Sequence, residues 1–283
     1  MVNVLDSLLV HKYEKSPFLL MWSQALFSVP CLVALSLIAD IHSSWAPLLL
    51  LIGTTAYLGD LWFFYVLDRL DVSVSNAAWP ILSIILAVAG VFLFQETWGV
   101  HQLTGSVLII AGILFLSFWH MHVSILRTVG LLSTQALLYV GFYITKKYAL
   151  DAGESVVSVF FWMILGRETL ALTLPLLRNR TRVRLKALVG RMDAEYFVIG
   201  GIVIASFLAA EYLGAMSYAV GPLSLIAMVS NVQPFMVIGL AWVFHLFLPK
   251  YAPREVISVQ SASIKTVSFL VVFLGLALLT VSQ

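Results

Sequence analysis

Long apolar runs separated by short polar breaks dominate this sequence. Reading the runs between the breaks gives ten segments, of which the first, residues 1–13, is the shortest. The others lie at residues 17–39, 46–67, 72–95, 101–119, 129–150, 155–177, 196–219, 222–248 and 263–282. A helix needs about 20 mainly apolar residues to cross a bilayer, and the runs lack the alternation of membrane strands. The sequence therefore predicts an all-α polytopic membrane protein with ten transmembrane helices.

The composition supports a chain that faces lipid more than water. Hydrophobic residues make up 61% and charged residues 11%, whereas soluble domains are about 25% charged. The net charge of +2 is too small to suggest a nucleic-acid partner. The single cysteine, Cys31, excludes an internal disulfide and disfavours a cysteine-based metal site. We expect a multi-pass integral membrane protein, located in the cell (inner) membrane.

The two parts of the chain resemble each other. Splitting it near His122 leaves five segments on each side, and "LLVHKYEKS" in the first half corresponds to "YITKKYALD" in the second. The fourth segment of each half begins with a Ser-Asn pair ahead of a proline, in "SNAAWP" and "SNVQP". Because five is odd, the second copy enters the membrane from the opposite face. The prediction is two inverted five-helix repeats, at residues 1–120 and 124–283.

The first segment is shorter than its counterpart. Aligning the two "KY" pairs sets Met1 against Ala136, whereas the corresponding helix of the second half begins near Val129. The first helix therefore lacks about two turns. Either the recorded start lies downstream of the true one, or this helix spans only part of the bilayer. We favour the first interpretation, because "MVNV" is typical of the middle of a helix.

The basic residues are distributed unevenly between the two sets of breaks. The breaks after odd-numbered segments hold thirteen, and those on the other face hold only Lys146 and Lys147. By the positive-inside rule, the basic stretch between segments 7 and 8 is cytoplasmic, and ten segments then place both termini outside. The same stretch, Arg178 to Arg191, has a simpler interpretation, in which it binds anionic membrane lipids.

One pattern in the first half resembles a known family. The fourth segment has Pro80 near its start and ends at Glu96 before a short turn, and the fifth carries Gly105 and Gly112. This pattern is similar to that of EamA-type transporters of the drug/metabolite transporter superfamily. The resemblance implies ten helices and transport of small polar or amphipathic metabolites, often by export.

The second half departs from this pattern. Pro234 fits it, but Lys250 replaces the acid and the last segment carries only Gly275. Family members usually keep both termini in the cytoplasm, which conflicts with the charge count. We prefer the charge count because it has a direct physical basis in membrane insertion.

Ionisable residues within the apolar runs are the first candidates for function, because charge inside a bilayer is costly. Asp60 in segment 3 and Glu211 in segment 8 occupy similar positions in matching segments. A buried carboxyl that exchanges a proton would couple export to proton entry, which makes protons a candidate coupling ion. The alternative is that each acid is hydrogen-bonded or paired with a buried cation and only holds helices together.

Arg167 and Glu168 lie at the centre of segment 7. Successive residues point about 100° apart on a helix, so we expect each to need a separate partner. Arg167 would pair with Asp60 or Glu211, or hold a substrate carboxylate through its planar guanidinium. Of these, a structural ion pair is favoured.

The two proline motifs form the second candidate group. Proline frees the carbonyl four residues earlier, so polar groups beside it are expected to line a cavity. The residues assigned to this lining are Asn76, Trp79, Pro80, Asn231, Gln233 and Pro234. The alternative is a kink satisfied by neighbouring helices.

No cofactor or metal site is indicated. His120 and His122 lack a third ligand and are interpreted as interfacial, and His245 as a helix-contact residue. Motifs for ATP binding or hydrolysis are missing from the sequence, so the chain is not expected to be an enzyme.

The sequence thus predicts a transporter of a small metabolite that works by alternating access, with a cavity formed by segments 3, 4, 8 and 9. A lipid or lipid-linked sugar flippase is an alternative, and a membrane enzyme acting on lipid is a weaker one. An enzyme would be expected to gather its polar residues at one membrane surface. The oligomeric state is open, and a homodimer is one arrangement that the sequence allows.

Overall fold

The fold is known from a computed structural model. It describes residues 5–6, 9–10, 12–14, 16–70, 75, 78–119, 125–177, 179–247 and 259–281. The structure is 88% helical, and strands are absent from the described residues. The predicted all-α class is therefore confirmed.

The described residues form eleven α-helices, and ten of them correspond closely to the predicted segments from the second onward. The eleven helices are α1 (Pro17–Ile38), α2 (Ala46–Leu67), α3 (Ala78–Phe94), α4 (Val100–Trp119), α5 (Ile125–Asp151), α6 (Val156–Thr173), α7 (Asn179–Val189), α8 (Ala194–Val220), α9 (Leu223–Val229), α10 (Gln233–Phe247) and α11 (Val259–Val281). Segment 9 is divided between α9 and α10 by a short 3-10 turn at Ser230–Val232. The basic stretch between segments 7 and 8 also contains a helix, α7.

Five of the described helices are long and apolar enough to cross a membrane by length and composition. They lie at Pro17–Ile38, Ala46–Leu67, Thr128–Asp151, Val156–Leu177 and Ala194–Val220. Four shorter apolar helices lie at Ala78–Phe94, Val100–Gly112, Leu223–Val232 and Thr266–Leu278. The arrangement of ten spanning helices in two inverted repeats stays a prediction.

The chain forms two compact units, and each draws on both predicted halves. The first unit comprises Met1–Arg69 and Gly141–Val220, and the second comprises Leu70–Val140 and Gly221–Gln283. The predicted repeats at 1–120 and 124–283 are sequence units, and their boundary stays a prediction.

In the first unit, α2 and α6 cross with their backbones almost touching. A Cβ atom at Gly53 would overlap the carbonyl oxygen of Met163, and one at Gly166 would overlap that of Leu50. Two glycines on facing helices therefore permit this crossing, as small residues do at many membrane helix contacts. Helix α1 also packs against α6, and α8 packs against α1 and α6.

Polar contacts link the segments that flank the helices of the first unit at each of its two ends. At one end, Lys12 is bonded to Glu195 over 2.6 Å, and Arg184 of α7 to Glu14 over 2.8 Å. At the other, Ser44 donates to Glu154 over 2.8 Å. Helix α1 runs from the first end to the second and α6 runs back, so these two helices have opposite directions.

In the second unit, α4 packs along α11 and α3 packs along α9. A Cβ at Gly275 would lie 2.6 Å from the carbonyl oxygen of Gly105, and one at Gly112 would lie 2.8 Å from Val272. Gly105 and Gly112 of segment 5 and Gly275 of segment 10 thus lie where α4 and α11 meet.

Candidate functional site

The guanidinium of Arg167 is the centre of a buried charged cluster in the first unit. Its Nε donates to Asp60 Oδ2 of α2 over 2.5 Å, and its Nη1 donates to Glu168 Oε1. The side chains of Arg167 and Glu168 are 4% and 0% exposed. The predicted pairing of Arg167 with Asp60 is therefore present in the structure.

The expectation that Arg167 and Glu168 need separate partners is wrong. The two Cα–Cβ directions do diverge on α6, but the arginine side chain is long and its guanidinium carries several donors on different sides. One edge reaches Asp60 on the neighbouring helix while another returns to Glu168 on its own helix. A single cation therefore serves two carboxylates.

Apolar groups complete the surroundings of this guanidinium. Its Cζ lies 4.3 Å from the centroid of the Phe207 ring of α8, and its Nη2 lies 3.8 Å from the sulfur of Met21 in α1. Arg167 thus touches all three of the other helices in this part of the unit. Contacts of this kind hold the guanidinium away from water and strengthen its interactions with charge.

Two further polar groups lie near the cluster. Asp6, 4% exposed, accepts a hydrogen bond of 2.8 Å from the amide of Gln24, and it lies within electrostatic range of Asp60 and Arg167. The hydroxyl of Tyr57, one turn before Asp60 on α2, is buried and has no hydrogen-bond partner among the described residues. Sequence reasoning missed Asp6 because it treated the first segment as an incomplete helix.

Glu211 forms a second buried ion pair. Lys146 Nζ of α5 lies 2.7 Å from Glu211 Oε2 of α8, and the two side chains are 3% and 20% exposed. The ammonium also lies 4.3 Å from the Phe142 ring centroid and 5.1 Å from that of Tyr143. Each acid selected from the sequence therefore has a buried cation as partner, as the structural alternative described.

Lys146 and Lys147, which the charge count assigned to the break after segment 6, lie within the helix that segment 6 predicts. Both belong to α5, which continues to Asp151, and both are buried. Lys147 Nζ lies 2.6 Å from Asp151 Oδ1, one turn further along the helix. Two adjacent charges marked the polar break, but they lie in the last turns of the helix, which ends at Asp151.

The proline motifs lie in the second unit and do not belong to either charged pair. Pro80 is buried in the first turn of the described part of α3, and the Trp79 ring lies 5.3 Å from that of Tyr139. Asn76 lies outside the described residues. The Ser83 hydroxyl donates to the carbonyl of Ala227 over 2.7 Å and lies 3.2 Å from Asn231 Oδ1.

The second proline lies directly after a change in helix type. Asn231 is fully buried within the 3-10 turn at Ser230–Val232, and α10 begins at Gln233 with Pro234 as its second residue. Proline is tolerated there because the first residues of a helix have no intrahelical acceptor for their N–H groups. The segment is therefore interrupted at the predicted place.

The carboxylate of Glu96, the acid of the family-like pattern, is hydrogen-bonded to the start of α9. Its Oε1 accepts from the backbone N–H of Leu223 over 2.6 Å. Its Oε2 accepts from the N–H of Ser224 over 3.1 Å and from the Ser224 hydroxyl. The carboxylate thus caps the first turn of α9, where N–H groups lack helical acceptors and negative charge is favoured.

The histidines give no metal centre in the part of the chain that is described. His120 and His122 lie outside the described residues, and His245 is exposed in the last turn of α10. Exposure of His245 does not support its interpretation as a helix-contact residue. Among the described residues, no group of three or more metal-ligating side chains is close enough to hold an ion.

The long apolar helices are those of an integral membrane protein. Residues 5–118 match the model of the EamA-like transporter family. The matched stretch is similar to that family, which is part of the drug/metabolite transporter superfamily. The members of the family are membrane transporters and not enzymes, and the match indicates a membrane transporter of this type.

A comparison with solved structures concerns the fold alone. A solved structure described only as "Crystal structure of protein" superposes with a TM-score of 0.65 at 16% identity, over 100% of this chain and 96% of that one. None of the curated proteins gives a significant match to the sequence.

Proposed function

We propose that this protein is a secondary transporter that exports a small metabolite by alternating access, with protons as the coupling ion. The observation that carries the proposal is that two ion pairs with buried cations lie in the first unit. They join Asp60 to Arg167 and Glu211 to Lys146. A buried salt bridge adds little net stability compared with an apolar pair. Charges kept inside a membrane protein are therefore candidates for a transport role.

The ion pairs supply a mechanism for loading and release. A carboxylate held by a buried cation exchanges that partner when a proton or a charged substrate group arrives. Breaking such a pair leaves a costly uncompensated charge, so the empty and loaded states favour different helix positions. Opposite directions of α1 and α6 within one unit are compatible with the inverted repeats that this mechanism uses.

The proline motifs are assigned to the substrate path. Asn76, Trp79, Pro80, Asn231, Gln233 and Pro234 would supply hydrogen-bonding and apolar contacts near an interrupted helix. Irregular backbone at membrane depth is tolerated where it is buried in protein or lines a cavity. The buried Ser83 and Asn231 side chains support a polar environment at this point.

The basic face of α7 is assigned to the membrane surface. Leu185 and Leu188 pack against Leu19 of α1, whereas Arg182, Arg184 and Lys186 are exposed. A helix with this distribution suits anionic lipid head groups, which attract basic residues by about 1 kcal/mol each.

The experiment that tests the proposal is uptake into proteoliposomes of a mixed pool of amino acids, nucleobases and organic cations. Uptake is measured with and without an imposed pH gradient, for the wild type, Asp60→Asn and Glu211→Gln. We expect gradient-dependent uptake that is lost in both variants, because each substitution removes the charge that holds a buried cation.

A matched control uses Asp40→Asn, since Asp40 is exposed and should tolerate the change. Equal uptake by all four proteins would overturn the role of the two acids and favour a facilitator. Movement of a labelled lipid between leaflets in the same liposomes, without solute uptake, would favour a flippase instead.

A further inference from the structure

The charged cluster around Arg167 contains more acids than bases. Asp6, Asp60 and Glu168 provide three carboxyl groups for one guanidinium, and each of the three is mostly or fully buried. If all were ionised, two negative charges would stay uncompensated in a place with little water. Such charges are expensive unless the group takes up a proton or binds a cation.

The three acids do not have equivalent partners. Asp60 and Glu168 each accept a hydrogen bond from the Arg167 guanidinium. Asp6 accepts one from the neutral amide of Gln24. The charged groups that act on Asp6 are Asp60, Arg167 and the N-terminal ammonium, and Tyr196 of α8 also lies within range. Of the three acids, Asp6 is therefore the one without a hydrogen bond from the Arg167 guanidinium.

A buried polar atom lies beside the cluster. The side chain of Tyr57 is fully buried, and its hydroxyl has no hydrogen-bond partner among the described residues. Buried polar atoms left in this state usually mark a strained or functional place.

From this geometry we propose that Asp6 holds the exchangeable proton of the transporter, in a cluster with Asp60, Arg167, Glu168 and Tyr57. Among the described residues, no group of three or more His, Cys, Asp or Glu side chains is placed to hold a metal ion. The inference rests on the proposed function and deepens it, since it names the carrier of the coupling ion. It leaves Asp60 and Glu168 as the hydrogen-bonded partners of Arg167.

Release of the proton gives a definite physical consequence. The Asp6 proton passes to water and leaves a carboxylate within range of Arg167. This new charge then competes with Asp60 and Glu168 for the single guanidinium. Because Asp60 belongs to α2, Glu168 to α6 and Asp6 to the first segment, protonation changes which elements Arg167 holds together.

Infrared difference spectra of the purified full-length protein, recorded between neutral and alkaline buffer, test this directly. We expect a carbonyl band of a protonated carboxylic acid at neutral pH, lost in alkaline buffer. Asp6→Asn should abolish the band while keeping a side chain of the same size beside Gln24. Asp40→Asn, at an exposed position, should leave the band unchanged.

A second variant keeps the test valid should Asp6→Asn fail to fold. Gln24→Met removes the hydrogen bond to Asp6 but leaves the carboxyl in place, so the band should shift without being lost. No band in the wild type, a band that survives Asp6→Asn, or a band unmoved by Gln24→Met would overturn the assignment.

The spectra require no substrate, which separates this inference from the proposed function. A band with the expected behaviour but no uptake in proteoliposomes would leave the proton site standing and remove the transport role. Uptake that ignores the pH gradient, together with no band, would leave transport standing and remove the proton carrier.

Discussion

Single residues determine most of the energetics of the charged cluster, and Arg167 has the largest role. Truncating one partner of a buried pair costs about 3–5 kcal/mol, because the other charge stays buried and unpaired. We therefore expect Arg167→Gln to lower the thermal unfolding temperature of the detergent-solubilised protein substantially, since it leaves Asp60 and Glu168 without a cation.

The matched control for Arg167 is Arg69→Gln. The Arg69 side chain is 37% exposed and lies 3.6 Å from Asp68, and exposed pairs contribute about 0–1 kcal/mol. Unfolding temperatures that fall equally in the two variants would contradict a special role for the buried cluster.

Glu154 gives a pH dependence outside the spanning segments. Hydrogen bonds from Ser43 and Ser44 lower the pKa of its carboxyl below the ordinary 4.5. A lowered folded-state pKa adds stability that is present above the unfolded value and is lost as pH falls through the folded value. We expect the unfolding temperature to drop below pH 4.5, and Glu154→Gln to remove part of that drop.

Unfolding scans across this pH range, run in parallel on the wild type and Glu154→Gln, provide the measurement. Identical pH profiles for the two proteins would show that the bond from Ser44 to Glu154 has no net effect on stability.

Sequence reasoning found some residues of the cluster and missed others for identifiable reasons. Asp60, Arg167 and Glu211 were identifiable because charge within a long apolar run is conspicuous. Lys146 was missed because it adjoins Lys147, although the apolar residues that follow them indicate a continuing helix. The position of Asp6 beside Gln24 depends on how two segments pack, which no local pattern encodes.

At the scale of elements, the crossing of α2 and α6 has a specific glycine requirement. Gly166→Ala would place a Cβ against the backbone of Leu50, which cannot move as a side chain could. Overpacking of this kind costs about 1–3 kcal/mol or more. We expect a clear fall in unfolding temperature and in the yield of folded protein.

Gly201→Ala in α8 is the matched control, because a Cβ there would meet nothing within 4 Å. Alanine is favoured over glycine in a helix by about 0.5–1 kcal/mol, so stability should be unchanged or slightly raised. Fluorescence-detected unfolding of both variants gives the comparison, and a tolerated Gly166→Ala would refute the close crossing.

The start of α9 depends on a side chain from the end of α3. Glu96→Ala removes the acceptor of two backbone N–H groups and one hydroxyl, and hydrogen bonds to charged groups contribute about 1.5–3 kcal/mol each before discounting for exposure. We expect faster hydrogen exchange at Leu223 and Ser224 in mass spectrometry, with Glu96→Gln intermediate.

Protection at α1, in the other unit, serves as the internal reference for this measurement. Exchange that accelerates equally in α1 and α9 would indicate global destabilisation and not the loss of a cap. The pattern of the fourth segment indicated that Glu96 ends it, but the acid's partners belong to a segment more than a hundred residues later, so they could not be predicted.

At the scale of the whole molecule, helix content was predictable and packing was not. Hydropathy located the helices because lipid requires every backbone group to be satisfied within a segment. The two units alternate along the chain, and this division follows from which helix faces pack together. Glycines such as Gly53 and Gly166 determine how closely two helices can pack at single positions. The repeats of the sequence and the units of the structure therefore describe different properties of the chain.

The orientation of the chain in the membrane gives the last prediction. In the first unit, α7 lies at the end that holds Lys12 and Glu195, and the turn after α5 lies at the end that holds Ser44. With the basic stretch in the cytoplasm, Ala187→Cys on α7 should face inward and Ala152→Cys in that turn should face outward. Both positions are exposed, so the two cysteines should differ in side and not in access.

Labelling with a membrane-impermeant maleimide, in a Cys31→Ser background, provides the measurement. Intact cells should label Ala152→Cys, and only permeabilised cells should label Ala187→Cys, because the positive-inside bias acts on the short loops during insertion. The reverse pattern would place both termini in the cytoplasm, as is usual for the family. Orientation would then have been set by something other than the basic residues, and the charged face of α7 would need another explanation.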